Sequence, residues 1–188
     1  MIEFIPPTWF EGTLFYATLI LPPLIIGVGV RFIGVWSDHD LVAGLGIIFL
    51  IIALIMVPVS GVAWHYTYEV PSVNEKVITV EDWQPTFGKY WGEIKGADDL
   101  MLKTTDGELY GNSENFLFQK FNTRDILDEL KPNGTYKITY YGWREGWNYG
   151  VPNILSVEQV INETDTPKHH DISDYMNKRS IIYTDDHW

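Results

Sequence analysis

Few side chains in this sequence have the types and spacing that chemistry needs. His169, His170, Asp171 and Asp174 gather nitrogen and carboxylate donors, and Asp185, Asp186 and His187 do so again. Such donors suit a divalent metal only when they are held in a defined geometry with outer partners of their own. Both groups fall in a polar stretch with no hydrophobic pattern to fix them, so they read as solvated side chains and no metal is expected. Asp82 with Asp98-Asp99 has the composition of a carboxylate pair, but aspartate is also a common turn residue, and turns are the expected setting here. The sequence contains no Gly-x-Ser-x-Gly, no phosphate-binding loop and no His-Glu-x-x-His. It also contains no cysteine, which removes disulfides and thiol chemistry. No catalytic residue and no cofactor is expected, and a non-enzymatic role is the reading that follows.

Binding chemistry is better represented. In Tyr140-Tyr141-Gly142-Trp143-Arg144, strand alternation puts Tyr141 and Trp143 on one face and Tyr140, Gly142 and Arg144 on the other. Glu145-Gly146-Trp147-Asn148-Tyr149-Gly150 follows as an aromatic loop. Tyr141, Trp143, Arg144, Trp147 and Tyr149 are thus the candidate ligand- or partner-binding residues, with a guanidinium able to stack on a ring. The competing reading is an aromatic core with Arg144 in a structural ion pair. This stretch, followed by Val151-Pro152-Asn153-Ile154-Leu155-Ser156-Val157, resembles a bacterial family of small membrane-anchored domains of unknown function. Members of that family carry a Tyr-Gly-Trp-Arg strand and a Pro-Asn element near their C-terminal end. The resemblance covers residues 140–157, and more if 116–131 are included. It implies an anchored β domain and no activity. The family's members have one N-terminal span, where this chain has two.

The elements that must carry these residues divide sharply by charge. Residues 1–64 hold Glu3, Glu11, Asp38, Asp40 and Arg31, a net charge of −3, while the whole 188-residue chain stands at −12. The remainder therefore carries −9. A surface of that sign repels phosphate backbones, which argues against nucleic acid as a partner.

Residues 12–30 and 41–64 contain no charged side chain. As helices they reach about 28 and 36 Å, enough to cross a hydrocarbon layer of about 30 Å. The second run has no polar face, and a domain this small has too little interior to wrap it. The expectation is a transmembrane hairpin over residues 1–68, with spans at about 12–33 and 41–64. Trp9, Phe10, Trp36, Trp64, Tyr66 and Tyr68 flank the spans as interfacial aromatic residues do. Gly27, Gly29, Gly44 and Gly46 are candidates for close helix approach. Pro22 and Pro23 predict a kink. Arg31, the basic residue that ends the first uncharged run, is expected to place the connecting turn in the cytoplasm and the following domain outside it.

Residues 69–161 read as a soluble β domain. Strands are expected at 73–80, 89–94, 100–103, 108–110, 136–141 and 154–160, with Asp106-Gly107 as a hairpin turn. Asn122 and Thr123 are positioned to cap one helix running to Leu130, and Lys131-Pro132-Asn133-Gly134 ends it. A small mainly-β fold with one helix follows, an OB-like or SH3-like barrel or an open sheet. Residues 162–188 read as a polar, disordered tail. Taken together, the sequence predicts a multi-pass envelope protein of two spans, partnered by the lipid bilayer and by another protein, a surface polymer or a second copy of itself. An accessory subunit docking through its hairpin is the alternative, and an envelope hydrolase is a distant third.

Overall fold

The computed structural model describes residues 4–85, 99–144 and 150–162. The chain divides into two compact units, Met1–Pro71 and Ser72–Trp188. The first consists of two long apolar helices. The second is a mixed sheet domain with one further helix.

Helix α1 spans Trp9–Trp36 and α2 spans Asp40–Trp64. Both are long and apolar enough to cross a membrane. A capping box starts α1: Thr8 Oγ1 accepts from the Glu11 amide, and the Glu11 carboxylate accepts from the Thr8 amide at 2.7 Å. Its end is a Schellman turn, with His39 N–H donating to Gly34 O and Asp38 N–H to Val35 O. Asp38 takes the left-handed conformation that this motif requires, at φ 58°. Pro22 and Pro23 lie inside an unbroken α1, and Pro58 inside an unbroken α2.

The helices meet through small residues. The buried positions are Gly27 and Gly34 on α1 and Ala43, Gly46, Ala53 and Ser60 on α2. Several of these recur at intervals of seven, the seam of a left-handed helix pair. A Cβ added at Gly27 would lie 2.9 Å from the Leu50 amide nitrogen, one at Gly46 would overlap the Arg31 backbone, and one at Gly34 the Ala43 backbone. Gly27 and Gly46 thus permit the close approach expected of them. Gly29 and Gly44 do not, because nothing lies within 4 Å of either added Cβ. Gly34, unremarked in the pattern, takes their place. Large apolar side chains such as Ile25, Phe32 and Leu54 point outward, with Leu54 72% exposed. Trp64 stacks on Tyr16 and touches Phe15 and Tyr68, an aromatic cluster at one end of the pair.

In the second unit, β1 (Asn74–Pro85) is long because it serves two neighbours. Its first half pairs with β4 (Thr135–Tyr141) and its second with β2 (Leu100–Thr104), both antiparallel, with a register shift between Val80 and Asp82. β2 pairs with β3 (Leu109–Gly111) around the expected turn, where Gly107 has φ 82°. β5 (Asn153–Asn162) pairs antiparallel with β4 and meets β3 in parallel at Gly111 and Asn153. The circuit of pairings closes in the order β1-β2-β3-β5-β4. Among the described residues the circuit is completed between β3 and β5 by that single pair.

Helix α3 (Thr123–Glu129) lies between β3 and β4 in the chain. Its Ile126 and Leu127, with Leu130, join Val80, Trp83, Leu100, Leu102, Tyr136, Ile138 and Ile154 in one core cluster. Asn122 occupies the N-cap without bonding its side chain to the helix. Its amide nitrogen reaches Leu155 O at 3.4 Å instead, so the expected cap is replaced by a tie to β5. Asp82 sits within β1 and not in a turn, its carboxylate accepting from the Trp83 amide at 2.8 Å. The expected strand at 89–94 and the tail lie outside the described residues.

The turn after α3 locks the core. Buried Trp83 donates its indole N–H to Leu130 O at 2.9 Å, and the Lys131 amide donates to the buried Tyr136 hydroxyl at 3.0 Å. A Cβ at Gly134 would overlap that Tyr136 phenol. Gly134→Ala is therefore expected to destabilise the domain by about 1–3 kcal/mol, the usual cost of forcing volume into a packed core. Denaturant unfolding of the variant against the parent measures it.

Candidate functional site

The expected binding stretch lies where β4 ends and β5 begins. Tyr141 closes β4 and is paired in register with Asn153, the first residue of β5. Gly142 then turns the chain at φ 85°, a conformation that disfavours any side chain. Its amide donates to Ser72 Oγ at 2.7 Å. Trp143 is half-buried and Arg144 exposed. Trp147 and Tyr149 lie outside the described residues. The two pieces of the motif, Tyr141-Gly142 and Pro152-Asn153, thus meet although nine residues separate them in sequence.

Tyr141 itself faces inward. Its hydroxyl accepts from Asn115 Nδ2 at 2.8 Å and from Asn153 Nδ2 at 3.0 Å, and its ring lies 4.3 Å from that of Phe118. It supports the site rather than offering a contact surface.

Behind it is a polar network that the sequence did not announce. Lys120 is buried, and its Nζ donates to Ser113 O (2.8 Å), Asn112 Oδ1 (3.0 Å) and Asn153 Oδ1 (3.2 Å). Three ammonium hydrogens thus meet three acceptors, none of them charged. Asn153 is saturated as well: its oxygen also accepts from the Ser113 amide, and its nitrogen donates to Ser113 O and Tyr141. Asn112, fully buried, donates to Thr123 O at 2.7 Å and so ties β3 to the start of α3. Burial holds the Lys120 ammonium down at about 8, against a smaller opposing pull from Glu114. The one available hint was compositional, three asparagines and one lysine among phenylalanines over residues 112–122.

The network fixes a tight turn. Asn115 and Lys120 exchange backbone hydrogen bonds at 3.1 and 2.9 Å, and Gln119 takes φ 53°. Asn115 Oδ1 accepts from the amides of Leu117 and Phe118. Beside the turn is an open depression of about 440 Å³ lined by Phe118, Gln119, Lys120, Phe121, Asn122 and Leu155. The buried Asn122 Oδ1 there has no hydrogen-bond partner among the described residues.

Of the carboxylates considered for catalysis, Asp98 lies outside the described residues, and Asp82 and Asp99 do not share a ladder position. Asp82 pairs with Lys103, whereas Asp99 precedes the Leu100 that pairs with Pro85, three positions along the same ladder. Among the described residues no group of three or more histidines and carboxylates is placed to hold a metal. His169, His170, Asp171, Asp174, Asp185, Asp186 and His187 fall outside them. No protein-family model, no curated protein and no solved structure matches this chain.

Proposed function

We propose that this chain is a membrane-anchored, non-enzymatic binding protein: α1 and α2 cross the bilayer, and the β domain, on the extracytoplasmic side, holds a partner protein or surface polymer. The domain is read as an OB-like barrel. Support comes from the closed order β1-β2-β3-β5-β4, with β3 parallel to β5 and a helix between β3 and β4. Barrels of that type take ligands across strands 2 and 3 and at the loops joining strands 1 to 2 and 4 to 5. The single observation carrying the proposal is that the β4–β5 connection is the segment containing Trp143, Arg144, Trp147 and Tyr149. Aromatic rings and a guanidinium suit a protein surface or an uncharged glycan. The acidic balance of the chain opposes polyanions.

The test is affinity purification from gently solubilised membranes, comparing the full chain with a Trp143→Ala/Arg144→Ala variant. We expect the variant to keep its fold and to lose at least tenfold in recovered partner. Equal recovery from a folded variant would sink the proposal. A second reading, an accessory subunit docking through its hairpin, draws on the open space around Gly29, Gly44 and Gly61, which the hairpin does not use for its own packing. Exchanging the hairpin for an unrelated two-span anchor separates the two: retained partners favour the domain, lost partners the hairpin.

A further inference from the structure

We propose that the turn at residues 115–121 is a membrane-interface wedge, whose Phe116, Leu117 and Phe121 enter the headgroup–acyl boundary of the bilayer that anchors the chain. Phe116 is 80% exposed, Phe121 61% and Leu117 41%. Three large apolar side chains on one short turn are costly to leave in water.

The turn is built so that it can leave water cheaply. Immersed backbone groups must bring their hydrogen bonds with them. Here the amides of Asn115, Leu117, Phe118, Gln119 and Lys120 all have partners inside the turn. Immersed charge is the other obstacle. Residues 115–123 contain one charged side chain, Lys120, and it points inward to Asn112, Ser113 and Asn153. An otherwise strongly acidic domain thus presents at residues 115–121 a turn without an outward charge, bordered by exposed Glu114 and carrying exposed Gln119 beside its apolar side chains, and tied down by a buried network. Rigidity matters because the ordering entropy is then spent in folding and not at the membrane.

The occupant follows from connectivity. β1 begins ten residues after α2 ends. Ten residues span at most about 35 Å, so the domain cannot drift far from the surface that α2 enters. A bilayer is therefore the apolar phase present at highest effective concentration. This inference rests on the hairpin being membrane-inserted, and the experiment separates the two.

The chain has no cysteine, so one introduced cysteine carries a fluorophore alone. Full-length protein in phosphatidylcholine nanodiscs is labelled at Phe116→Cys, with Leu117→Cys as a second site should the first fail to fold. Asp106→Cys, on the turn at the far end of β2 and β3, serves as the water control, and Leu54→Cys on α2 as the bilayer control. Nitroxides at shallow and deep acyl positions are the quenchers. We expect the label at 116 or 117 to be blue-shifted and quenched more by the shallow nitroxide, that at 54 more by the deep one, and that at 106 by neither. A label at 54 quenched while 116 and 117 stay in water overturns the wedge and leaves the anchor standing. No quenching at 54 overturns both. A label at 116 shielded from water yet untouched by either nitroxide indicates a protein contact, a second copy included, and also overturns the wedge.

Discussion

Gly34→Leu is expected to break the close seam of the helix pair and to lower its stability by about 3 kcal/mol, the upper part of the range for overpacking. A Cβ at Gly34 overlaps the backbone of Ala43, which cannot rotate aside as a side chain can. The helices must separate there, and contacts are lost along the seam through Gly27 and Gly46. Apolar packing between helices in lipid is driven by fit, since lipid chains are as apolar as leucine. Gly29→Leu is the matched control, because open space surrounds it and it should cost little by the same measure. Thermal unfolding in detergent micelles compares the two. Equal loss from both would mean that the seam lies on another face of α1.

The second large effect is at Lys120. Lys120→Met keeps the volume and removes the donor, leaving Asn112 Oδ1 and Ser113 O without their ammonium partner and Asn153 Oδ1 with the Ser113 amide alone. Ser113 O keeps the bond from Asn153 Nδ2, so Asn112 Oδ1 is the acceptor left stranded, and a loss of about 1–3 kcal/mol in domain stability is expected, the cost of one buried unsatisfied acceptor. Combined with Asn153→Ala, the two losses should fall short of additivity, because both variants dismantle one network.

The pH dependence has a definite sign. The ammonium ordinarily titrates at 10.5 and in the folded domain at about 8. Below pH 8 both states are protonated and Lys120 adds no slope. Between about 8 and 10.5 the unfolded chain holds the proton that the folded one has released, so stability rises with pH. Tyr110 acts oppositely at higher pH. Burial, then its hydrogen bond to Glu108, raises its phenol well above the ordinary 10.0, so folded protein keeps a proton that the unfolded chain loses, and stability falls there. Subtracting the Lys120→Met unfolding curves from the parent's isolates the first effect. A flat difference from pH 8 to 10 would contradict it.

How much of this was legible beforehand depends on the range of the interaction concerned. The helix pair was written in uncharged runs at residues 12–30 and 41–64, since helix length and apolar composition are properties of contiguous residues. The turn at Asp106-Gly107 and the stop at Asn133-Gly134 were equally local, because backbone preference is a property of a residue and its neighbours. Asp82 misled because aspartate's turn preference is weak beside the strand pairing on both sides of it. Gly29 and Gly44 misled because a glycine shows that close approach is allowed, not which face makes it.

By itself, then, the sequence determined the two apolar helices, most of the strands and the Asp106-Gly107 turn among the described residues of the β domain, and the aromatic composition of residues 140–149. Only the tertiary structure decided that Gly34 meets Ala43, that the strand circuit closes, and that Tyr141 turns inward to Asn115 and Asn153. It alone converted Lys120 from an ordinary basic residue into the buried hub of a network, leaving Phe116 and Phe121 exposed beside it. The reason is physical. Local propensity and hydrophobic period act between residues near in sequence, whereas the partners of Lys120 come from positions 112, 113 and 153, which only chain closure brings within hydrogen-bonding distance.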